Sequence, residues 1–167
     1  MGKLFVTGGG DRAGMDEQIA QWMAQRTPQF QYGASPYACI GLVNQVGGIV
    51  AGALFENYTH VDIHAHIAAE RLTRHFLGEC FRYCFETEGV DRITCPVLTS
   101  NKYGEPFVKK LGFVLEGRMR RRALDGSDVL IYGMLREECR WLTAGHPREK
   151  LKPPGPTDRS IRIQCRT

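Results

Sequence analysis

No apolar run in this 167-residue chain approaches the roughly 18 residues that a membrane-spanning helix needs. The first residues also lack the basic-then-apolar segment of a secretory leader. The expectation is a soluble protein of the cytoplasm with no membrane partner. The six cysteines, Cys39, Cys80, Cys84, Cys95, Cys139 and Cys165, include no Cys-x-x-Cys pair. Reduced thiols in a reducing compartment are therefore expected, not a disulfide framework. Cys80 and Cys84 stand one turn apart in an apolar helical stripe, where a thiol behaves as a small hydrophobe. No Cys/His pattern marks a nucleophilic cysteine.

An excess of charge of one sign is missing from most of the chain. The formal net charge is +4, and from Gly145 onward six basic residues stand against Glu149 and Asp158, which leaves the body before them neutral. Pro147, Pro153, Pro154 and Pro156 share that stretch, so residues 143–167 read as a basic tail beside a domain over residues 1–142. No aromatic residue interleaves with the tail's charges to stack a base, which disfavours nucleic acid as a partner. A phosphate loop is absent too: Gly8-Gly9-Gly10-Asp11 has neither a Lys-Ser/Thr ending nor dinucleotide spacing, and reads as a connection.

What is present is ordinary globular material, 43% hydrophobic and 24% charged, enough for one domain with one core. Lys3 to Thr7 is a short β-prone run. Met15, Ile19, Trp22 and Met23 recur at helical spacing until Thr27-Pro28. Tyr37 to Val43 and Gly48 to Glu56 form a hairpin about Asn44 to Gly48. A third strand follows in His60-Val61-Asp62-Ile63-His64-Ala65-His66-Ile67, whose strict alternation puts Val61, Ile63, Ala65 and Ile67 on one face and His60, Asp62, His64 and His66 on the other. The first face is core. The second is polar and titratable, and reads as a hydrogen-bonded surface, a catalytic face, or, through His64 and His66 with a third ligand elsewhere, a metal site. His60 and His66 lie about 20 Å apart along a strand, so the four polar residues do not make one site, and without a second ligand cluster no metal is expected.

Leu72, Phe76, Leu77, Cys80, Phe81, Cys84 and Phe85 predict one apolar stripe over five helical turns, with Gly89 as the left-handed residue beyond it. Val90 to Val97 is a buried strand. A short helix with Pro106 in its first turn and Gly112 at its C-terminus comes next. Phe113 to Ala123 and Val129 to Leu135 then form a closing hairpin, its first strand carrying Arg118, Arg120, Arg121 and Arg122, a solvated edge or a contact for an anionic ligand. A last amphipathic helix is expected around Arg136 to Leu142.

Asn101 closing a strand, the helix that ends Lys110-Leu111-Gly112-Phe113, the strand with Glu116-Gly117, and the closing Asp128 to Leu135 resemble the second half of the GNAT superfamily of N-acetyltransferases. The order of elements over residues 3–135 is also that of the family. The ending Gly133-Met134-Leu135-Arg136 with Cys139-Arg140-Trp141-Leu142 is similar to small GNAT-like proteins of tailed bacteriophages. The resemblance implies an α/β fold with a mixed, mostly antiparallel sheet of about seven strands flanked by helices. It implies transfer of an acetyl group from acetyl-CoA to a primary amine by direct attack, and a homodimer is compatible with it.

In such a protein the fourth strand and the following helix splay from the fifth strand, and the cofactor's pantetheine arm lies in the gap. Its pyrophosphate meets the helix start, where free N–H groups and the dipole favour anions. By that likeness Asp62, His64 and His66 are the candidate bases, and Tyr103 a candidate acid for the departing thiolate, with Tyr132 or solvent as alternatives. Ile67, Arg71, Thr73, Arg74, His75, Asn101 and Phe107 are the candidate cofactor contacts. The chain departs from the family pattern in two places. Arg71 or its neighbour starts a loop without the family's glycines, since Arg74 and Phe76, or His75 and Leu77, occupy their positions; and Val108 stands where many members have a Tyr. A GNAT fold serving as an inactive binding or virion-associated module, and a metal enzyme built on His64 and His66, are the alternative readings.

Overall fold

The periodicities of the sequence become a seven-stranded sheet with helices on both faces. The computed structural model describes residues 5–8, 15–27 and 36–142. Its elements are β1 (Phe5–Gly8), α1 (Met15–Arg26), β2 (Tyr37–Val43), β3 (Ile49–Glu56), β4 (Asp62–Ala69), α2 (Arg74–Arg82), β5 (Arg92–Leu98), α3 (Gly104–Leu111), β6 (Val114–Met119) and β7 (Val129–Leu135). The strands lie in the order β1-β2-β3-β4-β5-β7-β6. Every neighbouring pair is antiparallel except β4 and β5. The glycine run after Gly8, Pro28 and the basic tail lie outside the described residues.

Alternation along the strands sorts side chains onto two faces. On one, α1 lays Ile19, Ala20 and Met23 against Cys39, Leu54 and Ala68. Gly52 permits that contact, because a methyl group there would stand 2.8 Å from Ile19 Cγ2 and 2.9 Å from Met23 Sδ. The Asp16 carboxylate accepts the Cys39 N–H at 3.1 Å, and Arg26 pairs with Glu70, so both ends of α1 are tied to the sheet. On the other face α2 and α3 cover the main core, with Phe76, Phe81, Phe85, Ile93, Tyr132 and Met134 inside.

The long helix begins later than its apolar stripe suggests. Thr73 adopts an extended conformation and its hydroxyl accepts the Phe76 N–H at 3.0 Å, an N-cap that starts α2 at Arg74. Leu72 is left outside the helix and exposed. At the other end the helix widens into a π turn, Tyr83–Thr87, where the Glu88 N–H reaches back to the Tyr83 C=O at 2.8 Å. The Arg136 guanidinium bonds the Phe85 C=O there. Gly89 then takes the left-handed conformation expected of it, at φ 70°.

Three further expectations are corrected. β4 starts at Asp62 and not at His60, because His60 is left-handed at φ 69°; Val61 is therefore 55% exposed and not core. β6 ends at Met119, where Arg120 and Arg121 turn the chain, Arg121 at φ 52°. The closing helix is one 3-10 turn, Arg136–Glu138, whose Glu138 carboxylate accepts the Leu135 N–H at 2.9 Å.

The feature that positions a site is the parallel pair. β4 and β5 are in register over only Asp62↔Arg92, Ile63↔Ile93 and His64↔Thr94. Beyond that, β4 stays bonded to β3 as far as Ala69 and β5 to β7 as far as Leu98, so the sheet splits between them. Pro96 fits this split. The Arg92 N–H points to Val61 of the β4 side and the Thr99 N–H to Asp128 of the β7 side, so alternation aims the backbone of Pro96 at the gap. Its missing N–H costs no ladder bond there.

Filling the α1 contact provides a test of this packing. Gly52→Ala should lower the unfolding free energy by about 1–3 kcal/mol through overpacking against Ile19 and Met23, measured by urea denaturation; an unchanged midpoint would mean that α1 does not sit this closely on β3.

Candidate active site

The split opens a cavity of about 150 Å³. Ala65, His66 and Ile67 of β4 line one side, Cys95, Pro96, Val97 and Leu98 of β5 the other, and Asn101, Gly104 and Phe107 close it from the α3 side. Leu77, Cys80 and Phe81 of α2 form an apolar wall with Phe55 on the same face of the sheet, while Met23 and Thr27 reach the cavity from the α1 side. The backbone contributes as well. The Glu70 N–H bonds the Val50 C=O on the β3 side, and the Val61 C=O accepts from Arg92 on the β5 side. Alternation along β4 thus points the N–H and C=O groups of Ala65 and Ile67 into the gap, where β5 has moved out of reach. An extended chain entering the gap finds a strand edge to pair with, and a developing oxyanion finds N–H donors.

Of the four polar residues on the alternating stretch, only His66 lines this cavity. Its Nε2 lies 3.1 Å from Glu56 Oε1, with both side chains 11% exposed. Burial holds the His66 pKa below the usual histidine value, and the Glu56 hydrogen bond and charge oppose that only in part. The ring is consequently neutral near pH 7, able to accept a proton, with a carboxylate in place to stabilise the imidazolium. Glu56 is the partner that the reading of the sequence misses. It is recoverable from the hairpin register, because Glu56 pairs with His64 and Leu54 with His66, which sets Glu56 diagonally across from His66 on one face.

His64 sits outside the cavity, its Nδ1 3.2 Å from Asn57 Nδ2. His60 contacts the Tyr58 hydroxyl at 3.1 Å. Asp62 lies at the closed end of the split and is committed to neighbours. It accepts the Thr94 hydroxyl at 2.9 and 2.8 Å and stands 3.6 Å from Arg92 Nε. Arg92 also binds Glu116 at 2.5 Å, which raises its pKa further. The Glu116 side chain reaches it by crossing Gly133, where a methyl group would stand 2.3 Å from Glu116 Oε1. This chain of ion pairs spans β4, β5, β7 and β6 just where the parallel ladder ends.

The candidate cofactor residues form two groups. Arg71, Arg74 and His75 cluster, exposed, at the start of α2, with His75 Nδ1 3.8 Å from Glu79. Thr73 spends its oxygen on the helix cap. Asn101 accepts the Tyr103 and Gly104 N–H groups, each at 3.2 Å, and so caps α3 while it lines the cavity beside Phe107. Tyr103 faces outward: its ring is 74% exposed, with Lys102 Nζ 5.2 Å from its centroid. Tyr132 is fully buried and donates its hydroxyl to Glu105 at 2.9 Å, and Val108 is an apolar core residue.

The thiols near the cavity are protonated. Burial pushes Cys95 up to about 12 and raises Cys80 and Cys84 well above the usual thiol value. Among the described residues no group of three His, Cys, Asp or Glu side chains is placed to hold a metal ion.

No protein-family model and no curated protein sequence matches the chain. Solved structures do match. A mutant form of the spermidine/spermine N-acetyltransferase SpeG from Vibrio cholerae superposes with a TM-score of 0.62 at 12% identity, over 81% of this chain and 96% of that one. A dodecameric structure of the spermidine N-acetyltransferase from Vibrio cholerae gives 0.63 at 10% identity, over 80% and 94%. A GNAT-family acetyltransferase from Bacillus anthracis gives 0.51 at 15% identity, over 60% and 67%. The chain therefore has the GNAT fold.

The buried histidine makes stability depend on pH. With its folded pKa below the unfolded value of about 6.5, His66 contributes nothing at pH 8, where both states are neutral. As the pH falls below 6.5 the unfolded chain takes up the proton first, so stability should drop. Urea midpoints between pH 8 and 5 should fall more steeply for the wild type than for His66→Gln; parallel curves would contradict a depressed pKa.

Proposed function

We propose that the chain is an N-acetyltransferase that moves an acetyl group from acetyl-CoA to a primary amine within a ternary complex. The observation that carries this is the combination, in one split of the sheet, of an unpaired β4 backbone edge and a buried neutral histidine backed by a carboxylate. The GNAT fold supports the reaction class, since its solved neighbours named above are acetyltransferases.

In this reading the pantetheine arm of acetyl-CoA lies along β4, pairing with Ala65 and Ile67 and packing on Phe107, with Asn101 at its side. The pyrophosphate meets Arg71, Arg74 and His75 at the α2 start, where two guanidinium groups supply by charge what a glycine loop supplies by backbone N–H groups. The Thr73 hydroxyl proton is still available to it, because the cap uses only the oxygen's lone pair. Cofactor chemistry is confined to one thing: the thioester supplies an activated acetyl group.

His66 removes a proton from the acceptor ammonium, and the Glu56 carboxylate favours the imidazolium so formed. The amine nitrogen then bonds to the thioester carbonyl carbon, and the carbonyl oxygen takes up negative charge beside the Ile67 N–H. Collapse breaks the carbon–sulfur bond, and the nitrogen gives up its second proton to solvent, leaving a neutral amide. The thiolate leaves and takes its proton from solvent, in keeping with a buried, engaged Tyr132 and an outward Tyr103. Asp62 and His64 then act at a distance: Asp62 fixes the closed end of the split through Thr94 and Arg92, and His64 orders the β3–β4 turn through Asn57.

Calorimetric titration of acetyl-CoA should give micromolar binding that weakens at least tenfold in Arg71→Ala/Arg74→Ala. No binding at millimolar cofactor would sink the reading and leave the fold as a binding scaffold. For any amine that a thiol-release screen identifies as an acceptor, His66→Gln should lower kcat by roughly 10²–10⁴ with little change in KM.

A further inference from the structure

Opposite the α2 start, the mouth of the split has a second rim. It is made by the β5–α3 loop, residues 99–103, and the β6–β7 turn, residues 120–128, which are sewn together. The Thr99 N–H donates to the Asp128 C=O at 2.9 Å, the Asp128 N–H returns to the Thr99 hydroxyl at 3.1 Å, and the Ser100 and Ser127 hydroxyls meet at 3.3 Å. The turn is itself fixed, because Asp128 accepts the Arg121 N–H at 2.7 Å and Arg118 Nε at 2.6 Å. Leu98 pairs with Val129 and Val129 with Met119, so the loop and the turn stand at one level, at the open end of the cavity.

Two features of this rim are open to solvent. Tyr103 presents an aromatic ring, 74% exposed, directly beside the cavity-lining Asn101 and Gly104. The same rim carries exposed cations, of which Arg120 feels the charge of the Asp128 carboxylate. Among the described residues Arg118 pairs with Asp128 and Lys109 with Glu105, but Lys102, Arg120, Arg121 and Arg122 have no carboxylate within ion-pair distance. Arg120 and Arg121 line a shallow concavity with Asp128, and Arg121 is held there in a left-handed conformation that a non-glycine residue rarely adopts. An exposed ring on a rim that also carries exposed guanidinium groups is chemistry suited to a nucleoside phosphate, with the base on the open ring face and the phosphate on the guanidinium groups. The β6 end of the turn, which carries Arg120, lies two strand spacings from β5, roughly 10 Å, a distance that one nucleotide bridges.

We propose that this rim binds the nucleotide end of the cofactor: Tyr103 stacks on the adenine, and Lys102 with Arg120 and Arg121 takes the ribose 3′-phosphate. This rests on the acetyltransferase reading and gives the chain a nucleotide anchor on the side away from its glycine-free α2 start. Tyr103, which the sequence offers as an acid, becomes a binding residue.

The test compares acetyl-CoA, its 3′-dephospho form and S-acetylpantetheine as ligands by calorimetry, on wild type, Tyr103→Ala and Arg120→Ala/Arg121→Ala. Tyr103→Ala should weaken acetyl-CoA about tenfold, the loss of one base-stacking contact, and leave S-acetylpantetheine unchanged, which also shows that the variant is folded. Arg120→Ala/Arg121→Ala should bring acetyl-CoA down to the affinity of the dephospho form. Equal losses for all three ligands, or none for any, would overturn the proposal while wild-type binding of acetyl-CoA keeps the transferase reading. A wild type that binds none of them overturns both. A single-stranded oligonucleotide runs as a further arm: if the rim variants lose it and keep acetyl-CoA, the site holds a nucleic acid and not the cofactor, and the proposal fails.

Discussion

A parallel pair of strands that stops pairing in the middle of a sheet leaves a row of N–H and C=O groups with nothing to bond, a cost that a folded protein meets only where something else is to take their place. In this chain β4 and β5 hold together over three residue pairs and part after His64 and Thr94. The parting is enforced from both ends. At the closed end Asp62, Thr94, Arg92 and Glu116 form an ionic chain over four strands, which Gly133 permits by having no side chain. In the open part Pro96 removes the donor that β5 would otherwise offer back to β4. The cavity, the backbone edge and the position of His66 all depend on this arrangement.

Burial then assigns different chemistry to similar residues. His64 and His66 are two positions apart on one strand face, yet only His66 enters the cavity, and its desolvation keeps it neutral beside Glu56. Asp62, on the same face, is held by Thr94 and Arg92 and so belongs to the frame that shapes the site. The same desolvation acts in the opposite sense on Cys95, which lines the cavity as an apolar, protonated thiol. One low-dielectric split therefore selects a single proton acceptor from a group of ionisable side chains.

Much of the fold was legible in the sequence because it rests on local signals. Strand alternation in 62–67, the Phe76 to Phe85 stripe, Gly112 as a left-handed cap and the order of elements all belong to the backbone's own periodicities. Boundaries were harder. Thr73 as an N-cap and the left-handed His60 each displaced an expected element edge, because one side-chain bond or one dihedral decides where regular structure begins. The closing helix shrank to a single turn that ends at Cys139, whose backbone is extended.

The site was legible only as a list of residue types. Sequence alone determined that histidines and an aspartate would share one face of β4 and that arginines would stand at the start of α2, since strand and helix spacing fixes which neighbours along the chain share a face. Only the tertiary structure decided which of them meet. Glu56 joins His66 through hairpin register, Arg92 engages Asp62 through a crossover of some thirty residues, and Tyr103 turns outward on a loop hydrogen-bonded to the β6–β7 turn. Partners brought together by strand pairing and loop closure have no fixed spacing in the chain, so their meeting is a property of the folded sheet and not of any local pattern.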